Sequence, residues 1–355
     1  MRICLFSYRF LPDTGGIQEV SATLATAWTE AGHEVTLVTA TPLEKDPDYD
    51  RQFRFRVVRF NASPGGFKKW NPILEAADLL VSNGVSLIYW PLWVWRRKPI
   101  VFIHPLFLGQ DPQGKGARWH ERWQRRMRLW ARRFVLRRAA GNVFVSQYIK
   151  QSIGIPQGTV IYNPIDARFR PLPDVAISAD FAYFGRMAFE KGVTDLLDAL
   201  NLCNARGHRF TLELYGEGHM LADFKRHAAN LKLESQLRWY PFARDEELVR
   251  AMNSATVVVV PSKWIEPMGI VAVEAMACGK CVIGSSLGGL GEVLTGYCPT
   301  YPNHDIEQLA TQMIAVMTDA DLRRRYEESA LKRSKDFQRQ KIAQDYIDYF
   351  RQVMG

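Results

Sequence analysis

Two stretches of this chain hold residue types that could grip a phosphorylated ligand. Tyr183-Phe-Gly-Arg-Met-Ala-Phe-Glu-Lys-Gly-Val193 sets Arg186 and Lys191 between an apolar strand pattern and the helical pattern Thr194–Leu200. A loop so placed brings two cations and the N–H groups of a helix start to one point, which suits a diphosphate. The competing reading is a solvated loop with Glu190 and Lys191 as a surface pair. The stretch from Pro261 to Gly279 is more informative. Pro267 keeps Glu266 extended just ahead of a helix, and Glu274 then falls inside a small, apolar helix over 269–278 that Gly279 closes. A carboxylate there is costly to bury unless something pairs with it; a ribose diol would serve, and a buried salt bridge is the alternative. The eight residues from Glu266 to Glu274 span at most ~12 Å at helical rise, about the separation of the two sugar rings in a nucleotide sugar.

Weaker signals stand at three other strand ends. Pro12-Asp-Thr-Gly-Gly-Ile-Gln18 has paired glycines, Gly15 and Gly16, where a strand gives way to a helix, so backbone N–H groups could approach an anion. Leu214-Tyr-Gly-Glu-Gly-His-Met220 carries Gly216 and Gly218 after a strand, permitting close approach of a ring or phosphate. An ordinary tight turn explains either stretch equally well. His104 ends the apolar run Ile100–Ile103 and reads as a ligand-facing or a structural histidine.

Alternating short apolar runs and helical patterns must position these residues. Ile3–Phe6, Val35–Val38, Val57–Phe60, Leu87–Tyr89, Ile100–Ile103, Val143–Val145 and Val160–Ile161 read as buried strands, with a helix over Ile17–Ala31 closing at Gly32. A second series follows Pro171-Leu-Pro173: Phe181–Phe184, Thr211–Tyr215, Leu237–Tyr240, Thr256–Val260 and Cys281–Ile283. The four consecutive valines at 257–260 are those of a strand covered on both faces. Strands alternating with helices of about 10–15 residues predict parallel sheets with right-handed crossovers. The expected fold class is therefore α/β, two doubly wound Rossmann-like domains facing across a cleft. The first spans 1–166 and the second 167–335, with a helix over 336–355 that could pack back on the first. Ligands in such sheets bind beyond the C-terminal strand ends.

Charge and composition narrow the function class. The chain has 355 residues and a net charge of +9; residues 1–175 hold 25 Lys/Arg against 14 Asp/Glu, and the remainder is slightly acidic. Much of the excess lies in 118–138, with nine arginines and one acid, and Trp119, Trp123, Met127, Trp130 and Phe134 recur there on one helical face. That helix reads as a solvated amphipathic helix packing its aromatic stripe on its own core. It also reads as a surface for an anionic membrane, or, with no recognised motif around it, as a nucleic-acid site. Trp70, Trp90, Trp93 and Trp95 add to a basic, Trp-rich first half. No run of about 18 apolar residues predicts a membrane-spanning helix, and the apolar run at the start is too short for a secretory signal. Five scattered cysteines predict no disulfide framework and fit a reducing cytoplasm. Asp319-Ala-Asp321 opens a helical stretch and reads as a helix cap, Asp46-Pro-Asp48 lies in a polar loop, and Cys278 with Cys281 lacks further ligands, so no metal site is expected.

Taken together, Gly15-Gly16, Gly185-Arg-Met-Ala-Phe-Glu-Lys191, Gly216-Glu-Gly218 and Glu266 with Glu274 resemble the family-4 retaining glycosyltransferases of the GT-B fold. Asn163-Pro-Ile-Asp166 and Gly284-Ser-Ser-Leu-Gly-Gly-Leu-Gly-Glu292 match further segments of that family. The resemblance implies a hexosyl-type transfer from a nucleotide sugar, UDP favoured over GDP, to the hydroxyl of a saccharide or lipid-linked acceptor, with retention and without metal or cofactor. It implies that Arg186 and Lys191 bind the diphosphate, Glu274 the ribose and Glu266 the donor sugar. Backbone groups at Met268, Gly269 and Ile270 would close on sugar and phosphate. Gly15 and Gly16, with Gly185, Gly216 and Gly218, would line the donor, and His104 would lie near its sugar. Met268 stands where an aromatic residue is commoner. No nucleic-acid partner is expected, and the place of action is cytoplasmic or at the inner membrane face. A non-hydrolysing nucleotide-sugar epimerase and a non-catalytic peripheral membrane protein are the alternatives on the same fold.

Overall fold

In the computed structural model, residues 1–13, 15–43, 48–60, 67–84, 98–106 and 119–355 are described, without the side chains of 67–71, 119–122, 124–126 and 128. The chain divides into two compact units, one of Met1–Pro164 with Arg339–Gly355, the other Ile165–Gln338.

The first unit is built on a parallel seven-stranded sheet in the order β3-β2-β1-β4-β5-β6-β7. The strands are β1 (Arg2–Ser7), β2 (Glu34–Thr39), β3 (Arg56–Arg59), β4 (Leu79–Asn83), β5 (Ile100–His104), β6 (Gly141–Phe144) and β7 (Thr159–Val160). Helices α1 (Gly16–Glu30), α2 (Phe67–Ala76), α3 (Trp119–Arg138) and α4 (Gln147–Ile153) connect them. Gly32, at φ 83°, takes the left-handed conformation that stops α1 cheaply. The last helix of the chain, α12 (Arg339–Met354), returns to α1, where buried Trp28 meets Tyr346 and Phe350 edge-on with ring centroids 5.5 and 5.3 Å away.

The second unit has a parallel six-stranded sheet in the order β10-β9-β8-β11-β12-β13. Its strands are β8 (Ala179–Phe184), β9 (Leu212–Tyr215), β10 (Leu237–Tyr240), β11 (Ala255–Val260), β12 (Cys281–Ser285) and β13 (Thr300–Tyr301). The helices are α5 (Val193–Ala205), α6 (Leu221–Asn230), α7 (Asp245–Asn253), α8 (Ile270–Ala277), α9 (Gly288–Leu294), α10 (Ile306–Thr318) and α11 (Ala320–Ser334). Val257–Val260 are buried, as a central strand with helices on both faces requires. Each sheet is doubly wound: the chain moves outward from its first strand, then returns to the other side of it. That switch lies between β1 and β4 in the first unit and between β8 and β11 in the second.

The sequence-based elements differ from these at β4, at the two-residue β13 and on the aromatic stripe of α3. Strand β4 runs through Leu79–Asn83, where the sequence predicts no strand, and the expected strand at Leu87–Tyr89 lies outside the described residues. The two-residue strands are too short to show a period. Asp319 caps α11 by accepting from the Leu322 N–H at 2.8 Å, as its position before a helical stretch suggests. The aromatic stripe of α3 is not packed on the core at its described positions. Trp123, Met127 and Trp130 are 60%, 44% and 62% exposed, and Phe134 is exposed too, while among the described side chains of α3 Val135 and Leu136 are buried. The side chains of Trp119 in that stripe and of Trp70 are not described, and Trp90, Trp93 and Trp95 lie outside the described residues.

Candidate functional site

In the second unit the loops after β8 and β11 emerge side by side, because those strands are hydrogen-bonded neighbours at the topological switch. The first loop carries Arg186 and Lys191, the second Ser262 and Glu266. Backbone contacts clamp them together. The N–H groups of Lys263 and Trp264 both donate to the Glu190 carbonyl, at 3.0 and 3.1 Å. Gly192 sits so near that a Cβ there would stand 1.8 Å from the Pro261 carbonyl oxygen.

This clamp brings Lys191 onto Glu266 across 75 residues of sequence. Lys191 Nζ donates to Glu266 Oε1 at 2.6 Å, and the Ser262 hydroxyl donates to the same oxygen at 2.7 Å. The Lys191 and Glu266 side chains are 25% and 13% exposed, so the pair sits at a partly dry rim where charge interactions are strong yet reachable by a ligand. Arg186 points elsewhere: it pairs with Glu190 at 2.9 Å and is mostly exposed. The surface pair in this loop is therefore Arg186–Glu190 and not Glu190–Lys191, because the turn Phe189–Lys191 swings Lys191 inward toward the second loop. The two cations are not brought onto one partner. Burial and the Glu266 charge raise the pKa of the Tyr183 phenol, while Arg186, whose carbonyl accepts from Tyr183 Oη at 2.8 Å, acts the other way.

Two helices begin at this rim. Lys191 leads through Gly192 into α5, and Glu266 leads through Gly269 into α8. Both glycines are left-handed N-caps, and neither helix start receives a side-chain cap. The first N–H groups of both helices therefore remain available to an anion. Met268 is fully buried, so only its backbone could meet a ligand there, and Ile270 opens α8. Glu274 lies half-buried in that helix, and its charge adds to the burial that lifts the neighbouring Cys278 thiol to about 12.

Glycines at neighbouring strand ends shape the rim. A Cβ on Gly216 would stand 1.9 Å from the Gly185 carbonyl oxygen, and one on Gly218 would stand 2.3 Å from that of Met187. The loop after β9 therefore props the Arg186 loop from behind. The glycines starting α9 do the same for the Glu266 loop: the Gly289 N–H donates to the Glu266 carbonyl at 2.8 Å, and a Cβ on Gly289 would stand 1.8 Å from the Pro267 oxygen. A second ion pair supports the same loop. Lys263 Nζ meets Asp195 Oδ1 at 2.6 Å, with both side chains largely buried.

Sequence reasoning did not assign roles to Ser262, Asp195, Lys263, Gly192 or Gly289. The signals for Ser262 and Lys263 lay in the stretch already singled out. Asp195 betrayed itself only as an acid in the first turn of an apolar helix.

In the first unit, Gly15 precedes α1, whose start also lacks a side-chain cap, and Gly16 is its first residue. His104, the last residue of β5, is 1% exposed and stacks on Phe144 with centroids 4.7 Å apart. Its Nε2 lies 3.0 Å from Asn142 Oδ1. Burial lowers its pKa to about 4, an effect that Asn142 partly opposes. Among the described residues, no group of three or more His, Cys, Asp or Glu could hold a metal ion, and no helix is long and apolar enough to cross a membrane.

Comparison with known proteins bears on the family and the fold. Residues 176–333 match the family model described as glycosyl transferases group 1, and residues 14–169 match glycosyltransferase family 4. A glycogen synthase of Mycobacterium tuberculosis is 26% identical over 97% of this chain and 92% of its own length. Among solved structures, Anabaena HepE in complex with UDP superposes with a TM-score of 0.82 at 20% identity, covering 99% of this chain and all of the other. The sucrose-phosphate synthase of Thermosynechococcus elongatus superposes with a TM-score of 0.76 at 22% identity, covering 99% and 98%.

Proposed function

Since the chain belongs to the family-4 glycosyltransferases of the GT-B fold, we propose that it moves a hexosyl-type sugar from a UDP-sugar to an acceptor hydroxyl with retention of anomeric configuration. One observation carries the site assignment. Lys191, Glu266 and two uncapped helix starts share the rim at the β8/β11 switch, where a nucleotide diphosphate and its sugar have cation, carboxylate and N–H groups in reach. HepE, solved with UDP, supports the choice of base.

Binding exchanges partners. The diphosphate takes Lys191 Nζ away from Glu266 and draws Arg186 from its exposed pair with Glu190. Glu266, still held by Ser262, is then free to accept hydrogen bonds from the donor sugar's hydroxyls. Glu274 takes the ribose. In the transfer, the bond from the anomeric carbon to the phosphate oxygen breaks and the acceptor oxygen bonds on the same face of the sugar. The leaving phosphate receives the acceptor proton. Lys191, Arg186 and the helix N–H groups stabilise the charge developing on that phosphate, so the reaction needs no metal.

Calorimetry with UDP and a panel of UDP-sugars tests the site. Lys191→Ala loses about tenfold or more in UDP affinity, the loss of one charge-assisted hydrogen bond. Glu266→Gln keeps UDP binding and loses sugar transfer. Wild-type turnover in both variants would remove the assignment. An epimerase would interconvert the donor sugar with no acceptor present, and a non-catalytic protein would show no nucleotide-dependent thermal shift.

The acceptor is proposed to be a lipid-linked or envelope saccharide met at an anionic membrane surface. Exposed Trp123, Met127 and Trp130 beside exposed Arg133, Arg137 and Arg138 give α3 the composition of an interfacial helix. Flotation with phosphatidylglycerol vesicles should retain the wild-type chain and release a Trp123→Ser, Trp130→Ser double variant. Equal flotation of the two would rule α3 out as the contact.

A further inference from the structure

His104 is held more elaborately than a core histidine needs. Asn142 Nδ2 donates to the Leu136 carbonyl at 2.9 Å, which fixes the amide so that its oxygen faces the imidazole. That oxygen can only accept, so the His104 Nε2 must carry the proton and Nδ1 must carry a lone pair. Asn142 is itself held from the C-terminal helix. Its backbone N–H donates to Tyr349 Oη at 3.0 Å, and the same hydroxyl donates to the Asn142 carbonyl at 3.3 Å. Gly141 leaves room for this: a Cβ there would stand 2.7 Å from Tyr349 Oη. Phe144 covers one face of the ring.

The result is a neutral imidazole of one tautomer whose Nδ1, though buried, has no hydrogen-bond partner among the described residues. A buried acceptor left unmatched costs free energy, which a donor group of a ligand would recover. Among the described residues, burial and Asn142 are what shift its protonation, with no charged side chain acting on the ring. A lone pair in that state repels a phosphate oxygen and welcomes a hydroxyl.

We propose that Asn142, braced by Tyr349, is a positioning residue that locks His104 as the Nε2–H tautomer, so that Nδ1 accepts a hydrogen bond from a substrate sugar hydroxyl. The hydroxyl contact rests on the transferase reading above; the tautomer lock does not. It excludes His104 as a proton donor or general acid in the transfer, since Nδ1 has no proton to give and Nε2 is occupied.

Nitrogen NMR of the chain labelled with 15N-histidine, with His104 assigned by loss of its signals in His104→Gln, reads the tautomer without substrate. Expected are a protonated Nε2 and an unprotonated Nδ1 that persist from about pH 8 to about pH 5.5. In Asn142→Leu both tautomers appear. In Asn142→Asp a carboxylate beside the ring stabilises the imidazolium, and kcat/KM falls about tenfold over that pH range while the wild type stays flat. Adding a UDP-sugar moves the wild-type Nδ1 signal, and UDP alone does not. A mixed or Nδ1–H tautomer in the wild type overturns the proposal. So does an Asn142→Leu chain that loses stability but keeps the tautomer, or an unmoved Nδ1 signal when calorimetry registers the sugar nucleotide. Calorimetry on Lys191→Ala judges the transferase reading separately, so either can fail alone.

Discussion

Gly289→Ala probes the geometry on which the Glu266 loop depends. The added methyl would lie 1.8 Å from the Pro267 oxygen, 2.4 Å from the Pro267 carbonyl carbon and 2.8 Å from the Met268 nitrogen, all backbone atoms that cannot rotate aside. Real Cβ contacts stop near 3.0 Å, so α9 and the loop must part by at least 1.2 Å, the difference between 3.0 and 1.8. The Gly289 N–H bond to the Glu266 carbonyl, 2.8 Å long, cannot survive that separation. Overpacking of this kind costs about 1–3 kcal/mol. For a unit of this size each kcal/mol lowers Tm by about 2–4 °C, giving a drop of roughly 2–12 °C. The catalytic effect is larger in proportion, because a displacement of about 1 Å at a reacting centre can lower rate by about 100-fold. Gly296→Ala is the control. Gly296 has φ 86° but open space around its Cβ, so the change costs about 1–2 kcal/mol of backbone strain and leaves the loop alone. UDP release from a UDP-sugar and differential scanning calorimetry on both variants give the readings. A Gly289→Ala chain with wild-type kcat/KM would show that the glycine run does not shape the site.

Other perturbations follow from the same structure. His104 is neutral in the fold with its pKa lowered to about 4 against an ordinary 6.5, so the unfolded chain binds the proton first as pH falls. Stability is therefore lost from pH 6.5 down toward 4, by about 3 kcal/mol at the acid end, and His104→Gln should flatten that part of a denaturant-midpoint profile; an unchanged slope would contradict the buried neutral ring. Asp195→Asn leaves Lys263 largely buried without its carboxylate and should cost about 1–3 kcal/mol and loosen the Glu266 loop, seen as a lower kcat with UDP affinity kept. Dialysis against a chelator should leave transfer unchanged; a loss restored by a divalent cation would place a metal in the reaction.

The parts legible in the sequence were those whose signal is local. Val257–Val260 could only be a strand covered on both faces, and the loops around Lys191 and Glu266 announced themselves by glycine, proline and charge at strand ends. Partners were not legible, because they depend on which strands become neighbours. Nothing between residues 186 and 266 says that Lys191 turns to Glu266 while Arg186 turns to Glu190; that follows from β8 and β11 pairing at the switch. Strand β4 stayed hidden for another reason: Leu79–Val81 follows Leu74 and Ala77 closely enough to continue a helical period. The α3 stripe left three readings open because periodicity finds an apolar face without saying what covers it; its exposure at Trp123, Met127 and Trp130 counts against the core-packed one.

The two sheets share their winding but not their chemistry. In the second unit the strands beside the switch deliver Lys191, Arg186 and two carboxylates, and its uncapped helix starts add more positive potential. In the first unit the described strand ends also present neutral polar groups. Gly15 and Gly16 open α1, Asn83 at the end of β4 donates to Ser21 with its own oxygen left without a partner among the described residues, and His104 presents a bare nitrogen. The nearby Arg59 is spent on Asp50 and on the carbonyls of Leu11 and Thr41, which holds the loop after β1 in place and removes its charge from use. Buried acceptors such as Asn83 Oδ1 and His104 Nδ1, without partners among the described residues, suit hydroxyl donors rather than anions. A charge introduced at His104, whose buried ring has only neutral described partners, should therefore harm turnover far more than UDP affinity.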